Sequence, residues 1–266
     1  MFKRILMMVD NSPVMENVFE YVTTLLPDAY YLLVSIINLG AFEGYYTKVV
    51  YDEMLNLSQQ SMKILSEILV KKDIRFESHI EVGDPVIDSL SFAKKNEAEL
   101  FVLETHAGVA ANKIKLGGTT ASLIMRSHIP ILLLGEELFP TKNPVILHPT
   151  TGSKYSEDAT YLVGELLKSM NGSLKTLILG ENKDEVKRRT QEILKSLGVE
   201  SEFILSEGPE VASIISHAKD ADLIVGSRGS PRPSYKLRFF SRQFALDPVV
   251  RLTVAFLPKP LLLVCD

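Results

Sequence analysis

Short runs of consecutive apolar residues recur along the chain and alternate with longer stretches in which apolar and polar residues mix. The runs of the first half are Ile5 to Val9, Leu32 to Ile37, Leu100 to Leu103 and Ile129 to Leu134. Continuous apolar runs of this length are typical of strands in a parallel sheet that is covered on both faces. Apolar residues at helical spacing lie between the runs, as in the series Leu55, Met62, Leu65 and Leu69. Alternating strands and helices predict an α/β fold with parallel sheets.

The second half of the chain repeats this order. Its apolar runs are Val145 to Leu147, Leu177 to Leu179, Phe203 to Leu205, Leu223 to Val225 and Leu261 to Val264. Each half also ends in an apolar strand led by a proline, Pro130 or Pro260, at a position where proline costs no ladder hydrogen bond. The repetition predicts two tandem domains over residues 1–138 and 143–266. Each is expected to be an open parallel sheet of five strands flanked by helices.

Composition and charge fit a soluble folded protein and exclude several classes of partner. A formal net charge of −4 gives no overall attraction for nucleic acid or for anionic lipid. Apolar runs stay far below the roughly 18 residues that a membrane span needs. Cys265 is the single cysteine, so the chain has no internal disulfide and no Cys-x-x-Cys motif. We therefore expect a cytoplasmic protein with neither a membrane nor a nucleic acid as its partner.

Polar residues at the strand ends are the candidates for ligand binding, because ligands of open parallel sheets bind beyond the carboxyl ends of the strands. The first strand is followed by Asp10, whose carboxylate either accepts hydrogen bonds from a base or ribose or caps the next helix. The fourth strand is followed by Glu104-Thr105-His106-Ala107. Nine residues later, Gly117-Gly118-Thr119-Thr120 stands at the start of a predicted helix.

This arrangement resembles the universal stress protein family. Members carry Asp at the end of the first strand and the motif Gly-x-x-Gly, nine residues, Gly-Ser/Thr after the fourth. In ATP-binding members these parts hold the adenine, the ribose and the phosphates. The resemblance implies two Rossmann-like domains and an adenine nucleotide, ATP or AMP, as the cofactor. The candidate nucleotide-binding residues are Asp10, Ile36, Gly117, Gly118, Thr119 and Thr120 in the first half, and Gly226, Ser227, Arg228 and Gly229 in the second.

The first half departs from the family motif in its charge. Glu104 and Ala107 stand where the family has glycines, and Gly118 stands in place of the Ser/Thr. Two like unit charges about 4 Å apart repel by about 4 kcal/mol at an effective dielectric constant near 20. A Glu104 carboxylate that faces the phosphates would therefore abolish a micromolar site. Two alternatives stay open, in which Glu104 points elsewhere or binds the ribose.

The second half keeps Gly226-Ser227-Arg228-Gly229 in full but departs at two other places. Thr151 takes the position of the family's Asp, and a spacer of 17 residues, Ser230 to Leu246, replaces the nine. The next helix then begins with Asp247-Pro248, a good N-cap and first helical residue that need no ligand to explain them. Asp247 would itself occupy the anion position, so we expect no phosphate at that helix.

A basic segment, residues 228–242, begins in the glycine motif and continues into this spacer. It carries Arg228, Arg232, Lys236, Arg238 and Arg242 without an acid, interleaved with Tyr235, Phe239 and Phe240. One interpretation is a flap that replaces lost phosphate contacts or docks a protein or a single-stranded nucleic acid. The other, which we favour, is a surface insertion whose aromatic side chains pack on the domain.

The resemblance implies a non-enzymatic regulatory or stress-response protein that binds an adenine nucleotide at one degenerate site. The alternatives are a nucleotide-free protein-interaction module and, with less support, a nucleotidyl transferase or ATPase of the related adenine-nucleotide α-hydrolase-like group. The five histidines show no metal-ligand spacing, so no metal is expected. Family members pair their last strands across a dimer. Here two alternatives stay open: Ile131 to Leu134 and Leu261 to Val264 pair with each other within one chain, or they are ordinary edge strands. We also expect a homodimer.

Overall fold

The computed structural model describes residues 2–10, 12, 15–42, 48–105, 108–110, 113–115, 117–135, 138–229, 232–233, 244–245, 247–256 and 259–265. Contacts between Cα atoms group the chain into two compact units, Phe2–Glu104 and Thr105–Asp266.

The first unit is a parallel sheet with helical connections. Its elements are β1 (Arg4–Met8), α1 (Met15–Leu25), β2 (Tyr30–Ile37), a 3-10 turn (Leu39–Phe42), α2 (Lys48–Lys71), β3 (Phe76–Val82), α3 (Ile87–Lys95) and β4 (Leu100–Glu104). The strand order is β4-β1-β2-β3, and each neighbouring pair is parallel. Helical crossovers between parallel strands are the connection that such a sheet requires.

The core of the first unit lies in the apolar runs that predicted its strands. Ile5, Leu6 and Met7 of β1 are fully buried, as are the side chains from Tyr31 to Val34 of β2. Strand β3 is different, because its polar and apolar residues alternate and most of its side chains are partly or fully exposed. An edge strand needs only one covered face, so β3 has no continuous apolar run and the sequence pattern missed it.

The second unit contains a larger sheet. Its elements are β5 (Gly108–Ala110), β6 (Lys113–Lys115), α4 (Gly118–Arg126), β7 (Ile131–Leu134), β8 (Val145–Thr150), α5 (Lys154–Ser169), β9 (Ser173–Ile178), α6 (Lys183–Ser196), β10 (Glu202–Leu205), α7 (Glu210–Ala218), β11 (Leu223–Ser227), β12 (Arg232–Pro233), β13 (Phe244–Ala245), α8 (Pro248–Phe256) and β14 (Leu261–Val264). The main strand order is β10-β9-β8-β11-β14-β7, and two short antiparallel ladders join β5 to β6 and β12 to β13.

Strands β7 and β14 pair antiparallel, whereas the other described pairs of this main sheet are parallel. Leu261 lies opposite Leu133, and Leu263 lies opposite Ile131. All residues of both strands are buried. Pairing two apolar strands in this way satisfies backbone groups that would otherwise form an exposed, aggregation-prone edge.

The predicted α/β fold with parallel sheets and flanking helices is confirmed. Each apolar run of the sequence coincides with a strand of the structure to within a few residues. Because β7 pairs with β14, its contacts group it with Thr105–Asp266, while the repeat boundary at residues 138–143 stays a prediction. Among the helices that the structure describes, none combines the length and apolarity of a membrane span.

Candidate functional site

A cavity of about 400 Å³ lies in the second unit, where β8 and β11 end. Its lining combines Pro149 and Thr151 from the end of β8 with Gly226, Ser227 and Gly229 from the end of β11. In open α/β sheets this carboxyl end is where ligands bind, and the volume falls in the range of small-molecule sites, roughly 300–1,000 Å³.

The glycine motif after β11 shapes one wall of the cavity. Gly229 has a φ of +73°, in the left-handed region that favours glycine, so a side chain there would strain the loop. Gly226 is less constrained, because a Cβ atom added there would meet Pro149 Cγ at an ordinary 3.7 Å. Backbone conformation thus explains Gly229, while Gly226 leaves open space beside Pro149.

Hydroxyl groups occupy the end of β8. The exposed Thr151 donates its hydroxyl to Ser153 Oγ at 3.3 Å, and Ser153 in turn caps α5 by accepting from the backbone N–H of Ser156 at 3.3 Å. Thr151 stands where the family resemblance would place an aspartate. This part of the cavity therefore presents neutral donors and acceptors.

A carboxylate, that of Asp247 at the start of α8, also lines the cavity. Asp247 Oδ1 accepts a hydrogen bond from the Val249 N–H at 2.9 Å, and the Asp247 carbonyl accepts from the Arg251 N–H at 2.9 Å. A Cβ atom built on Gly229 would come within 3.4 Å of Asp247 Cβ and 3.9 Å of Oδ2, so this side chain packs on the glycine loop. The negative charge compensates the positive end of the helix dipole, as expected for an N-cap aspartate.

The remaining lining is mostly apolar. It is contributed by Tyr155, Leu179, Ile214, Ile224, Val249, Val250, Leu261 and Leu263, with Glu210 at the start of α7. The sequence pattern did not single out these lining residues, because their spacing is that of core positions. Ile214 lies on α7, and its side chain is buried.

Arg228 is part of the glycine motif but is not among the lining residues. The side chain is only 8% exposed, and its Nη1 atom lies 2.9 Å from the carbonyl oxygen of Ser127, 3.2 Å from that of Met125 and 3.3 Å from that of Ile124. These carbonyls form the C-terminus of α4, where a cation is stabilised by the helix dipole. Arg228 therefore holds the end of α4.

His148 is buried in β8, next to the cavity wall. Its Nδ1 lies 2.8 Å from the Val225 carbonyl oxygen and its Nε2 lies 2.9 Å from Thr160 Oγ1. Burial lowers the pKa of His148 to about 4, against the opposing effect of the hydrogen bond with Val225. The imidazole is neutral at neutral pH, and because a carbonyl can only accept, Nδ1 carries the proton. A histidine within an apolar run was the available sequence signal.

In the first unit, the acids at the strand ends hydrogen-bond to one residue between them. The exposed Asp10 accepts from the Ser12 N–H at 2.9 Å, and the Ser12 hydroxyl donates to Glu104 Oε1 at 2.9 Å. Among the alternatives for Glu104, the structure thus places its carboxylate on Ser12. Ile36 is half-buried in β2, opposite Glu81 of β3.

Gly117, Gly118, Thr119 and Thr120 belong to the second unit, at the start of α4. Gly117 is the N-cap, without a side-chain hydrogen bond among the described residues, and the next two residues are exposed. An added Cβ would contact only Thr120 Oγ1, at 3.7 Å, from Gly117 and would meet open space at Gly118. Packing therefore does not explain these two glycines.

Several predicted features fall outside the described residues. Of the basic segment, the structure describes Arg228 and Gly229 and the backbone of Arg232–Pro233, which pairs with Phe244–Ala245. Lys236, Arg238, Arg242 and the three aromatic residues lie outside the described part, as do His106 and Ala107. Within the described residues, no group of three or more His, Cys, Asp or Glu side chains is arranged to hold a metal ion.

Comparisons with known proteins agree with this architecture. A sequence model of the universal stress protein family matches residues 1–135. A universal stress protein from Archaeoglobus fulgidus DSM 4304 is similar in structure over 99% of this chain and 96% of that chain, with a TM-score of 0.81 and 17% identity. A functionally unknown protein from Pseudomonas aeruginosa PAO1 is similar over 100% and 93%, with a TM-score of 0.68 and 12% identity. A search of curated proteins gives no match.

Proposed function

The chain belongs to the universal stress protein family, and from this premise we propose that it is a non-enzymatic stress-response protein that binds an adenine compound in the cavity of the second unit. The class includes ATP, ADP, AMP and their nucleoside. One observation carries the proposal, namely the cavity of about 400 Å³ at the ends of β8 and β11, walled by the glycine motif. We place this single site in the second half, because its loop keeps both motif glycines, Gly226 and Gly229.

The chemistry of the lining supports binding rather than catalysis. Its polar side chains at the end of β8 are hydroxyls, which orient a ligand by hydrogen bonds. The nearby His148 is held neutral by burial and is engaged on both ring nitrogens, so it is poorly placed to move protons during a reaction. We therefore propose regulation through ligand occupancy, without turnover.

The proposal is tested by calorimetric titration of adenosine, AMP and ATP into the full chain, preceded by mass spectrometry of small molecules released on denaturation. We expect one binding event that Gly226→Glu abolishes, because a charged side chain would fill the space beside Pro149. Gly118→Glu is the control, since it adds the same charged side chain at the start of α4, outside the cavity lining and at a position with room for a side chain. That variant should bind as the parent does.

Other outcomes select the alternatives. No released ligand and no heat at millimolar concentration would contradict the proposal and favour the nucleotide-free interaction module. Thr151 in place of the family's Asp, and Asp247 at the anion position, are the residues that favour this alternative. Loss of binding in Gly118→Glu alone would place the site in the first-half motif. Steady ATP turnover removed by Gly226→Glu would contradict the non-enzymatic assignment.

Location and assembly belong to the same proposal. We propose a cytoplasmic protein that forms a homodimer, following the behaviour that the family resemblance implies. Light scattering of the purified chain measures its molar mass in solution. A monomeric mass over a hundredfold range of concentration would contradict the homodimer.

A further inference from the structure

We infer that the cavity of the second unit selects uncharged, largely apolar ring compounds of nucleoside size and rejects phosphate, because the Asp247 carboxylate already lies where an anion would bind. The inference rests on the proposed function for the location of the ligand, and it adds the charge that the ligand must have. Asp247 and Glu210 are both in the lining, and the described lining residues include neither lysine nor arginine.

The start of α8 has few donors left for an anion. Pro248, the first helical residue, has no N–H, and the Val249 N–H is donated to the Asp247 carboxylate at 2.9 Å. A phosphate at a helix N-terminus normally uses such N–H groups and the positive end of the dipole. At α8 the Val249 N–H and the positive end of the dipole already face the Asp247 carboxylate, so a phosphate would gain little there.

The Asp247 carboxylate also disfavours the binding of an anion at the glycine loop. Asp247 packs against Gly229, with its Oδ2 within 3.9 Å of where a Cβ atom would stand. A phosphate drawn to the loop would therefore lie close to a like charge, in surroundings where apolar side chains weaken solvent screening. Each added phosphate group adds repulsion from the Asp247 carboxylate, so affinity should decrease from nucleoside to monophosphate to triphosphate.

The lining of the cavity suits a flat, uncharged ring. Its volume of about 400 Å³ is lined by aliphatic side chains such as Ile214, Val250 and Leu263, with the Tyr155 ring at its side. The hydroxyls of Thr151 and Ser227 supply a few polar contacts for orientation. An apolar lining with a small number of polar groups is the usual composition of a site for an uncharged ligand.

The test uses two pairs of probes, in which the members of each pair differ in their charged group. N-phenyl-1-naphthylamine is uncharged, whereas 8-anilinonaphthalene-1-sulfonate has the same ring framework with one sulfonate; adenosine and AMP form the second pair. We expect the full chain to bind the neutral naphthylamine at least about tenfold more tightly than the sulfonate, which corresponds to about 1.4 kcal/mol. Gly226→Leu, which fills the cavity without adding charge, should remove this binding.

Asp247→Asn is the decisive variant. Asparagine caps a helix about as well as aspartate, so the fold should be kept while the charge is removed. The preference for the neutral probe should fall below about threefold, chiefly through tighter binding of the anion. Asp184→Asn, an exposed acid in the first turn of α6, is the matched control and should leave the preference unchanged.

Three results would overturn the inference: equal affinity for the two naphthalene probes, a preference that survives Asp247→Asn, or binding of the neutral probe that survives Gly226→Leu. The adenosine pair separates this inference from the proposed function. AMP binding more tightly than adenosine would overturn the charge selection but keep an adenine site. Failure of every adenine compound, with the naphthalene preference intact, would contradict the proposed function alone.

Discussion

The ends of β1 and β8 hold corresponding positions in the two halves, yet an acidic residue follows β1 and an uncharged residue follows β8. Asp10 follows β1, and Glu104 is the last residue of β4; both are hydrogen-bonded to Ser12. After β8 it has Thr151, and the acid of the second half lies instead at the start of α8, on the glycine loop. One fold therefore carries two sets of strand ends with different electrostatics, and duplication of the fold does not imply duplication of the site.

A buried histidine is a second difference between these strands, and it should produce the largest effect. Three residues before Asp10 lies the fully buried Met7, and three residues before Thr151 lies His148. Since the pKa of His148 is about 4 when folded and about 6.5 when unfolded, the unfolded chain binds more protons between these values. Stability is thus complete above pH 6.5 and is lost as the pH falls towards 4, by about 3 kcal/mol.

Urea unfolding followed by circular dichroism between pH 4 and pH 8 measures this loss. His148→Met, which copies the first half, should flatten the slope between pH 6.5 and pH 4, because the titrating group is gone. His217→Met, at a partly exposed helical position, is the control and should keep the slope. A His148→Met variant with the parent's pH dependence would show that other groups cause the acid lability.

The next largest change in stability is expected on substitution of Arg228. Arg228→Ala removes the donor for the carbonyls of Ile124, Met125 and Ser127 at the end of α4, so unfolding free energy should fall by about 2 kcal/mol. Arg251→Ala, at an exposed position of α8, should change it by less than about 0.5 kcal/mol. If Arg228→Ala lowers adenosine affinity without destabilising the chain, Arg228 contacts the ligand instead of holding α4.

The smallest effects compare the strand ends themselves. Ser12→Ala removes a half-buried hydroxyl that donates to a carboxylate and should cost about 1 kcal/mol, whereas Thr151→Ala removes an exposed hydroxyl with one long contact and should cost less than about 0.5 kcal/mol. Denaturant midpoints of the two variants give the difference. Equal costs would mean that the polar links of the two strand ends matter equally for the fold.

The sequence predicted the buried strands well, because a strand covered on both faces must be a continuous apolar run. It missed β3, where an edge position allows exposed polar residues, and it predicted Asp247 as the N-cap of its helix from the Asp-Pro pair. The site was harder to predict. Arg228 lies within a ligand motif but binds helix carbonyls, and Ile214 lies on a face whose spacing does not distinguish a core position from a cavity wall. Such distinctions depend on where side chains meet across distant segments, which local spacing does not contain.

Amide hydrogen exchange of the full chain with and without saturating adenosine tests the central claim most directly, because it reads both halves in one experiment. The account predicts slower exchange in peptides that cover the end of β11 and the start of α8, near Ser227 and Val249, with no change around Ser12 and Glu104. Protection around Ser12 and Glu104, with none near Ser227, would contradict the assignment of the site to the second half.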